Sequence, residues 1–443
     1  MRLTIASAWV FLFFAISLQA ADGSKVFDVR QFGAKGDGKT LDTEAIQKAL
    51  DECGKATGGT VKFSRGTYYS KPLTLQAKTT VLLDAGATLQ ACTNQSDFMK
   101  VPGDWLQAKS GGDFIPFISG KDLTDVTFTG KGTIDGNGAV WWEEAEKARQ
   151  KVSGYTLPRP NLIVLTRCKN VRFENLTLQN SPKFHFVPTE CEGVVVSNVT
   201  ILAPEHAANT DAIDPSACKN VLITKCRIDV GDDNVAIKAG KKVEGREFAC
   251  EDITVTDCTF LHGHGMSIGS ETNGGVSKIR VFDLSLDGPD NGIRIKSNGS
   301  RGGLTEDVVY DDVCIRNSPN PITLDTTYSA AGTLQGDSLP TMRGITLHNV
   351  RVSGGGKITF NGYDHTHRIA ATLDGVQIVD QSSYTYELNH ADLTLGPEPT
   401  NLQLPAGPDS TTPGSISSDS TIKGTPAEGN PASCADKFVP FPQ

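Results

Sequence analysis

Four short polar clusters between residues 209 and 296 carry the side chains of acid–base chemistry. They read Asn209-Thr210-Asp211, Gly231-Asp232-Asp233-Asn234, Gly263-His264-Gly265 and Arg294-Ile295-Lys296. Three carboxylates held together repel one another, so at least one should keep its proton above the usual carboxylate range. A protonated acid beside an ionised base is what cleavage of a glycosidic bond requires, the first for the leaving oxygen and the second for water. His264 would tune the acid's proton or bond the sugar. Arg294 and Lys296 leave one side of a strand while Ile295 turns inward, which makes a two-cation clamp for a substrate carboxylate. An acidic sugar polymer meets these demands together.

Taken singly, each cluster has a plainer reading. Asp-Asp is common turn chemistry, Gly-His-Gly a tight turn, and Arg-x-Lys a solvated strand face. Their phase in a repeating chain is what gives them weight. The segments Lys169-Asn170-Val171, Glu192-Gly193-Val194, Lys219-Asn220-Val221, Glu251-Asp252-Ile253, Ser277-Lys278-Ile279 and Glu306-Asp307-Val308 share one pattern, with Asp125-Val126 before them and Gly344-Ile345 after. The steps between marks are about 23 to 32 residues, too short for a propeller blade and without a leucine-rich consensus. The pattern predicts an all-β solenoid of about ten coils, with equivalent residues stacked at the inter-strand distance of about 4.8 Å. A second alignment places Ile213, Ile237, Ile268 and Ile295 in one inward column, with the polar clusters beside it on successive coils. It leaves open whether His264 stacks on Asp232 or on Asp233.

The elements around this series are sparse. Helical spacing of Ala45, Ile46, Ala49 and Leu50 predicts a short N-terminal capping helix from Asp42 to Cys53, with Thr40 or Asp42 as its cap. A weaker helix is expected from Trp142 to Lys151. Cys168, Cys191, Cys218 and Cys250 fall at one phase of the repeat and Cys226 and Cys258 at another. That predicts either disulfides within a column, such as Cys218–Cys250 or Cys226–Cys258, or a ladder of buried thiols. Three units are expected: a signal peptide at 1–21, with one Arg and the apolar run 5–18, a catalytic solenoid at 22–395, and a loose Pro/Ser/Gly-rich tail at 396–443. The end of the tail, with Phe438, Val439 and Phe441, would dock back on the body. The leader predicts a secreted, extracellular or periplasmic protein. A net charge of −9 across 443 residues argues against nucleic acid as a partner, and no stretch after the leader would span a membrane.

In order and spacing, the four clusters resemble the four signatures of the polygalacturonases, glycoside hydrolase family 28. Gly132-Thr133-Ile134-Asp135-Gly136-Asn137-Gly138 and Asn180-Ser181-Pro182-Lys183-Phe184-His185 extend the resemblance. It implies a single-stranded right-handed parallel β-helix that hydrolyses α-1,4-linked galacturonan with inversion, without metal or other cofactor, acting as a monomer on pectic polysaccharide. Carried over by position, Asp232 is the general acid, Asp211 and Asp233 hold and activate water, and His264 supports the acid. Asn209, Arg294, Lys296 and Tyr328 would contact substrate, the last three at the leaving side. Asn234 departs from the family, standing where many members have a cysteine. The insertion at 141–160 could close one end of the groove, so endo and exo action both stay open. A pectate lyase, a rhamnogalacturonan hydrolase and a non-catalytic polysaccharide-binding solenoid are the competing readings.

Overall fold

The computed structural model describes residues 25–108, 111–151, 157–240, 248–328, 338–402, 414–417, 419–425, 427, 429, 434 and 436–438. The expected leader, 1–21, lies outside them. Each coil turns at a residue placed just before its first inward aliphatic. Asp125, Asn170, Asn220, Asp252, Lys278 and Asp307 sit there at φ between 53° and 57°, and Gly193 and Gly344 at 72° and 60°. Asn and Asp enter this left-handed region because a short polar side chain bonds locally, and Gly because it has no Cβ. The sharp corner aims the next residue inward. Val126, Val171, Val194, Val221, Ile253, Ile279, Val308 and Ile345 then pair in parallel, rung upon rung, in the expected register.

The result is a right-handed parallel β-helix whose strands form sheets of 22, 4 and 7 members. Bridges Phe186↔Ile213 and Ile213↔Val235 join the two smaller sheets into one wall. Inward Val, Ile, Leu and Phe columns make one continuous core, in which Phe128 stacks on Phe173 at 4.5 Å between ring centroids. The helix Thr43–Lys55 closes the first coils by burying Ile46, Ala49, Leu50 and Cys53. Its N-cap is Asp42, whose carboxylate accepts from Lys35 N and Gly36 N instead of capping the helix. The second helix starts earlier than expected, spanning Ala139–Lys151, and is anchored by Trp141 against Phe98, Trp105 and Phe114. Among the described residues, no helix is long and apolar enough to cross a membrane.

Two expectations need correction, and one open alternative is decided. Ile213 does not join the Ile237–Ile268–Ile295 column; it pairs with Val235, two residues away, because this side of its coil has no regular strand and is held by isolated bridges. Of the two expected outcomes the cysteine columns take the thiol ladder: Cys168, Cys191, Cys218, Cys226, Cys250 and Cys258 are free and buried, as are Cys53 and Cys92 in the first coils. Stacked rungs hold the Cβ–Sγ vectors side by side, and in three stacked pairs one Sγ accepts from the backbone N–H of the cysteine on the next rung. Cys168 N, Cys218 N and Cys226 N lie 3.4 Å from the sulfurs of Cys191, Cys250 and Cys258. Burial pushes the Cys250 thiol up to about 12, so it stays protonated. The solenoid also passes residue 395, since strands Gly414–Ile416 and Thr421–Lys423 add a rung in parallel register.

The disulfide that does form links Cys314 to Cys434, 120 residues apart with 5.9 Å between Cα atoms. It ties the chain end across the large sheet, where Lys437 pairs with Asp283 and Asp312 at 2.8 and 3.0 Å and Phe438 lies under Arg316. Replacing both cysteines by serine should lower stability by about 2–4 kcal/mol, as loss of a long-loop crosslink does. Thermal unfolding of the pair variant measures this. Activity at moderate temperature should be unchanged, because the strap crosses a different sheet from the candidate site.

Candidate active site

All four clusters meet on the wall formed by strands Val235–Ala239, Met266–Thr272 and Asn291–Lys296. Asp211, Asp233 and His264 each precede by two residues a member of the paired series Ile213, Val235, Met266, and so share one column. Asp232 lies one residue earlier. By backbone register His264 therefore follows Asp233, yet its Nδ1 leans to Asp232 Oδ1 at 3.2 Å against 3.8 Å for Asp233. The turn that presents it needs glycine on both sides: Gly263 and Gly265 have φ of 99° and 59°, and a Cβ on either would sit 2.2 Å from a carbonyl oxygen of a neighbouring rung. Asn234 locks this turn. Its amide accepts from Gly265 N at 2.8 Å and donates to His262 O at 3.0 Å.

The three carboxyls differ sharply in surroundings. Asp232 is the most open, its side chain 17% exposed against 4% and 3% for Asp211 and Asp233. Its Oδ2 accepts from Asn209 N and Nδ2, both at 3.2 Å, and its Oδ1 from Asp233 N at 2.9 Å. Burial works to raise its proton affinity, but the His264 contact and the Lys296 charge outweigh burial and hold it below the usual carboxylate range. Asp233 accepts from Ser267 Oγ at 2.6 Å and Lys296 Nζ at 2.8 Å, with Arg294 Nη1 at 3.5 Å. The cation pair therefore neutralises Asp233 as well as facing the cleft, and Asp233 is also held low despite its burial. Asp211 is the acid driven well above the usual range, by burial first and then by Asp214 and Asp232. Burial likewise pushes Asp214 up to about 6 against the pull of Lys238.

The structure brings every expected site residue to this wall. Tyr328 bonds through its N–H to Ser297 O and lies beside both cations, 5.2 Å from Arg294 Cζ and 5.4 Å from Lys296 Nζ. Five further residues, Lys238, Asp214, Lys183, Arg159 and Asp290, were missed in the sequence. Lys238 Nζ contacts Asp214 at 2.5 Å and Asp211 at 3.4 Å; its place after the inward Ile237 was the signal that could have found it. Lys183 stood in a quoted motif without a role. Arg159 gave no signal, since it reaches back from the insertion to donate to Ala208 O and Asn209 Oδ1 at 3.1 and 3.2 Å. That bond turns the Asn209 amide so that its NH2 faces Asp232. The His264 Nε2 lies 3.5 Å from Asp290, which ties the outer edge of the ring.

The three acids, His264, Lys183, Lys238 and Lys296 line a polar cleft of about 610 Å³, which meets a second of about 350 Å³, lined by Arg294, at Lys296 and Tyr328. Among the described residues, Asp232, Asp233 and His264 are the one cluster with metal-ligand spacing. Lys296 and Arg294 already answer the Asp233 charge, so the donor set is balanced by the chain's own cations.

A parallel β-helix carrying an acid cluster and a cation pair in one open cleft defines a polysaccharide-cleaving enzyme of the glycosidase class. Residues 53–394 match the family model for glycosyl hydrolases family 28, and the chain belongs to that family. It is 37% identical over 362 residues to an endo-polygalacturonase of Pectobacterium carotovorum subsp. carotovorum, covering 79% of this chain and 87% of the relative. It is 31% identical over 463 residues to a polygalacturonase of Ralstonia nicotianae, covering 90% and 85%. The solved polygalacturonase of Erwinia carotovora ssp. carotovora superposes with a TM-score of 0.76 at 33% identity, over 84% of this chain and 97% of that one.

Proposed function

We propose that this enzyme hydrolyses the α-1,4 bonds between galacturonic acid units of pectic polysaccharide, with inversion, outside the cytoplasm and as a monomer. The observation that carries the reading is the convergence of Asp211, Asp232 and Asp233 beside the Arg294–Lys296 pair in one open polar cleft. Asp232, the most exposed carboxyl and the one His264 touches, is the general acid. Asp211 and Asp233 hold and activate the attacking water from the buried side. Export rests on the leader-like residues 1–21.

The free site explains how an acid with lowered proton affinity can serve. Asp232 is kept ionised by the fields of His264 and Lys296, while the shared proton sits on Asp211. A galacturonate carboxylate arriving at Arg294 and Lys296 cancels part of that field, and Asp232 then gains proton affinity as the leaving oxygen reaches it. The acid cluster must hold one proton, and the raised acids lose theirs as pH rises. Hydrolysis should therefore fall as pH rises through the range where Asp211 loses its proton, which burial and the neighbouring carboxylates set well above the usual carboxylate range. The test is to incubate polygalacturonate with the protein from acid to neutral pH, with and without a chelator, and to count reducing ends. Reducing ends that are chelator-insensitive, free of ultraviolet-absorbing unsaturated products and scarcer once pH exceeds the raised range of the acid cluster support the reading. No turnover, or unsaturated products, would overturn it.

A further inference from the structure

One part of the cleft is left without a role by this mechanism. Lys183 Nζ lies 4.4 Å from the centroid of the Phe184 ring, and Lys238 Nζ lies 4.6 Å from the same centroid. All three residues line the cleft. The arrangement repeats the leaving side, where Arg294 and Lys296 share the Tyr328 ring. Lys238 and Lys296 each stand one residue past an inward isoleucine, Ile237 and Ile295, and both of these pair with Ile268 on the strand between. The two lysines are thus two rungs apart, about 10 Å, on either side of the acids.

Charge at the two places differs in one respect. Lys296 and Arg294 share Asp233, and Lys238 is taken up by Asp214 and Asp211. Lys183 has no carboxylate partner among the described residues. Arg159 behind it is buried to 2% exposure, with Nε and Nη1 unbonded. Three cations, Lys183, Lys238 and Arg159, here face Asp211, Asp214 and Asp232, of which Asp211 is pushed by burial toward its neutral form. The surplus is positive and opens into the cleft at Lys183, whose own charge is disfavoured by burial until an anion arrives.

We propose that Lys183 and Lys238, flanking the Phe184 ring, form a second carboxylate-binding locus, which takes the uronate carboxylate of the sugar on the opposite side of the cleaved bond from Arg294 and Lys296. The inference rests on the hydrolase reading and sharpens it: the enzyme selects a bond with a free carboxylate on both sides. Methyl-esterified or neutral sugar at this position would leave the Lys183 ammonium in a partly buried site with no counter-charge. Arg159 supplies background field and fixes Asn209, and it is not a contact.

The test is calorimetric titration of a galacturonate trimer, and of its methyl ester, into the full chain carrying Asp232→Asn so that the trimer is not cut. Adding Lys183→Met should weaken the free-acid trimer about 10-fold or more, as loss of a charge-assisted contact does, and leave the ester unchanged. Lys183→Arg should keep the preference for the acid and shows that the position tolerates change. No loss, or an equal loss on acid and ester, overturns the second locus. Turnover of polygalacturonate by the unsubstituted chain is measured alongside. Turnover with unaltered Lys183→Met binding would sink this locus alone, and absent turnover with absent trimer binding would sink the hydrolase reading and this one with it.

Discussion

Asp232→Asn should lower the turnover of polygalacturonate by about a thousand-fold, within the range for loss of a positioned acid, while KM moves little. The amide cannot deliver a proton to the leaving oxygen, yet it fills the same volume. Its environment is demanding, because Asp232 accepts from Asn209, Asp233 and His264 at once and an amide brings donors of its own into that cage. For this reason polymer binding is measured separately from rate. A parallel drop in kcat and kcat/KM identifies an interaction made in the transition state. A variant that kept a tenth of the parent rate would remove Asp232 from the acid's role.

Lys296→Met should fail in two ways. The ammonium lies 2.8 Å from Asp233, and both residues are almost wholly buried. Breaking such a pair leaves a carboxylate without its main partner, and a loss of about 2–4 kcal/mol is expected, at the lower end for a buried pair because Arg294 remains. KM for polygalacturonate should rise as well, since the same ammonium faces the cleft. The pH dependence separates these effects. In the parent, Asp233 is held low, so its contribution is present at neutral pH and fades as pH falls through the carboxylate range. The stability gap between parent and variant should therefore be widest near neutrality and should narrow in acid. A gap that stayed constant with pH would mean that Lys296 acts by packing alone.

The sequence was most legible where the fold repeats a decision. The residue before each mark is Asn, Asp or Gly in seven of the eight corners because the corner is left-handed, and the marks themselves pair as the spacing predicts. The polar clusters were legible because they sit at fixed offsets from those marks. Legibility failed where the chain leaves the repeat. Ile213 lies outside any regular strand, on the side of its coil held by isolated bridges, so its column was misplaced by two residues. The thiol columns were seen, but spacing alone does not tell stacked sulfurs from bonded ones, since both need the same register. Arg159 and the Cys314–Cys434 crosslink join segments 50 and 120 residues apart, through loops and a tail that no periodicity governs. Lys238 and Asp214 were overlooked because they adjoin inward isoleucines, where a charged neighbour reads as the solvated side of a strand.

The left-handed corners have a consequence for how this enzyme tolerates change. Because every coil is re-aimed by its own corner residue, a misstep in one connection is cancelled before the next rung begins. Insertions such as the one that carries the helix Ala139–Lys151 then lengthen a connection without displacing the acids downstream. The molecule behaves less like a rod, in which errors of alignment accumulate, than like a counter that is zeroed at each turn. Its cleft rims can diverge freely while the spacing of the reactive atoms stays fixed.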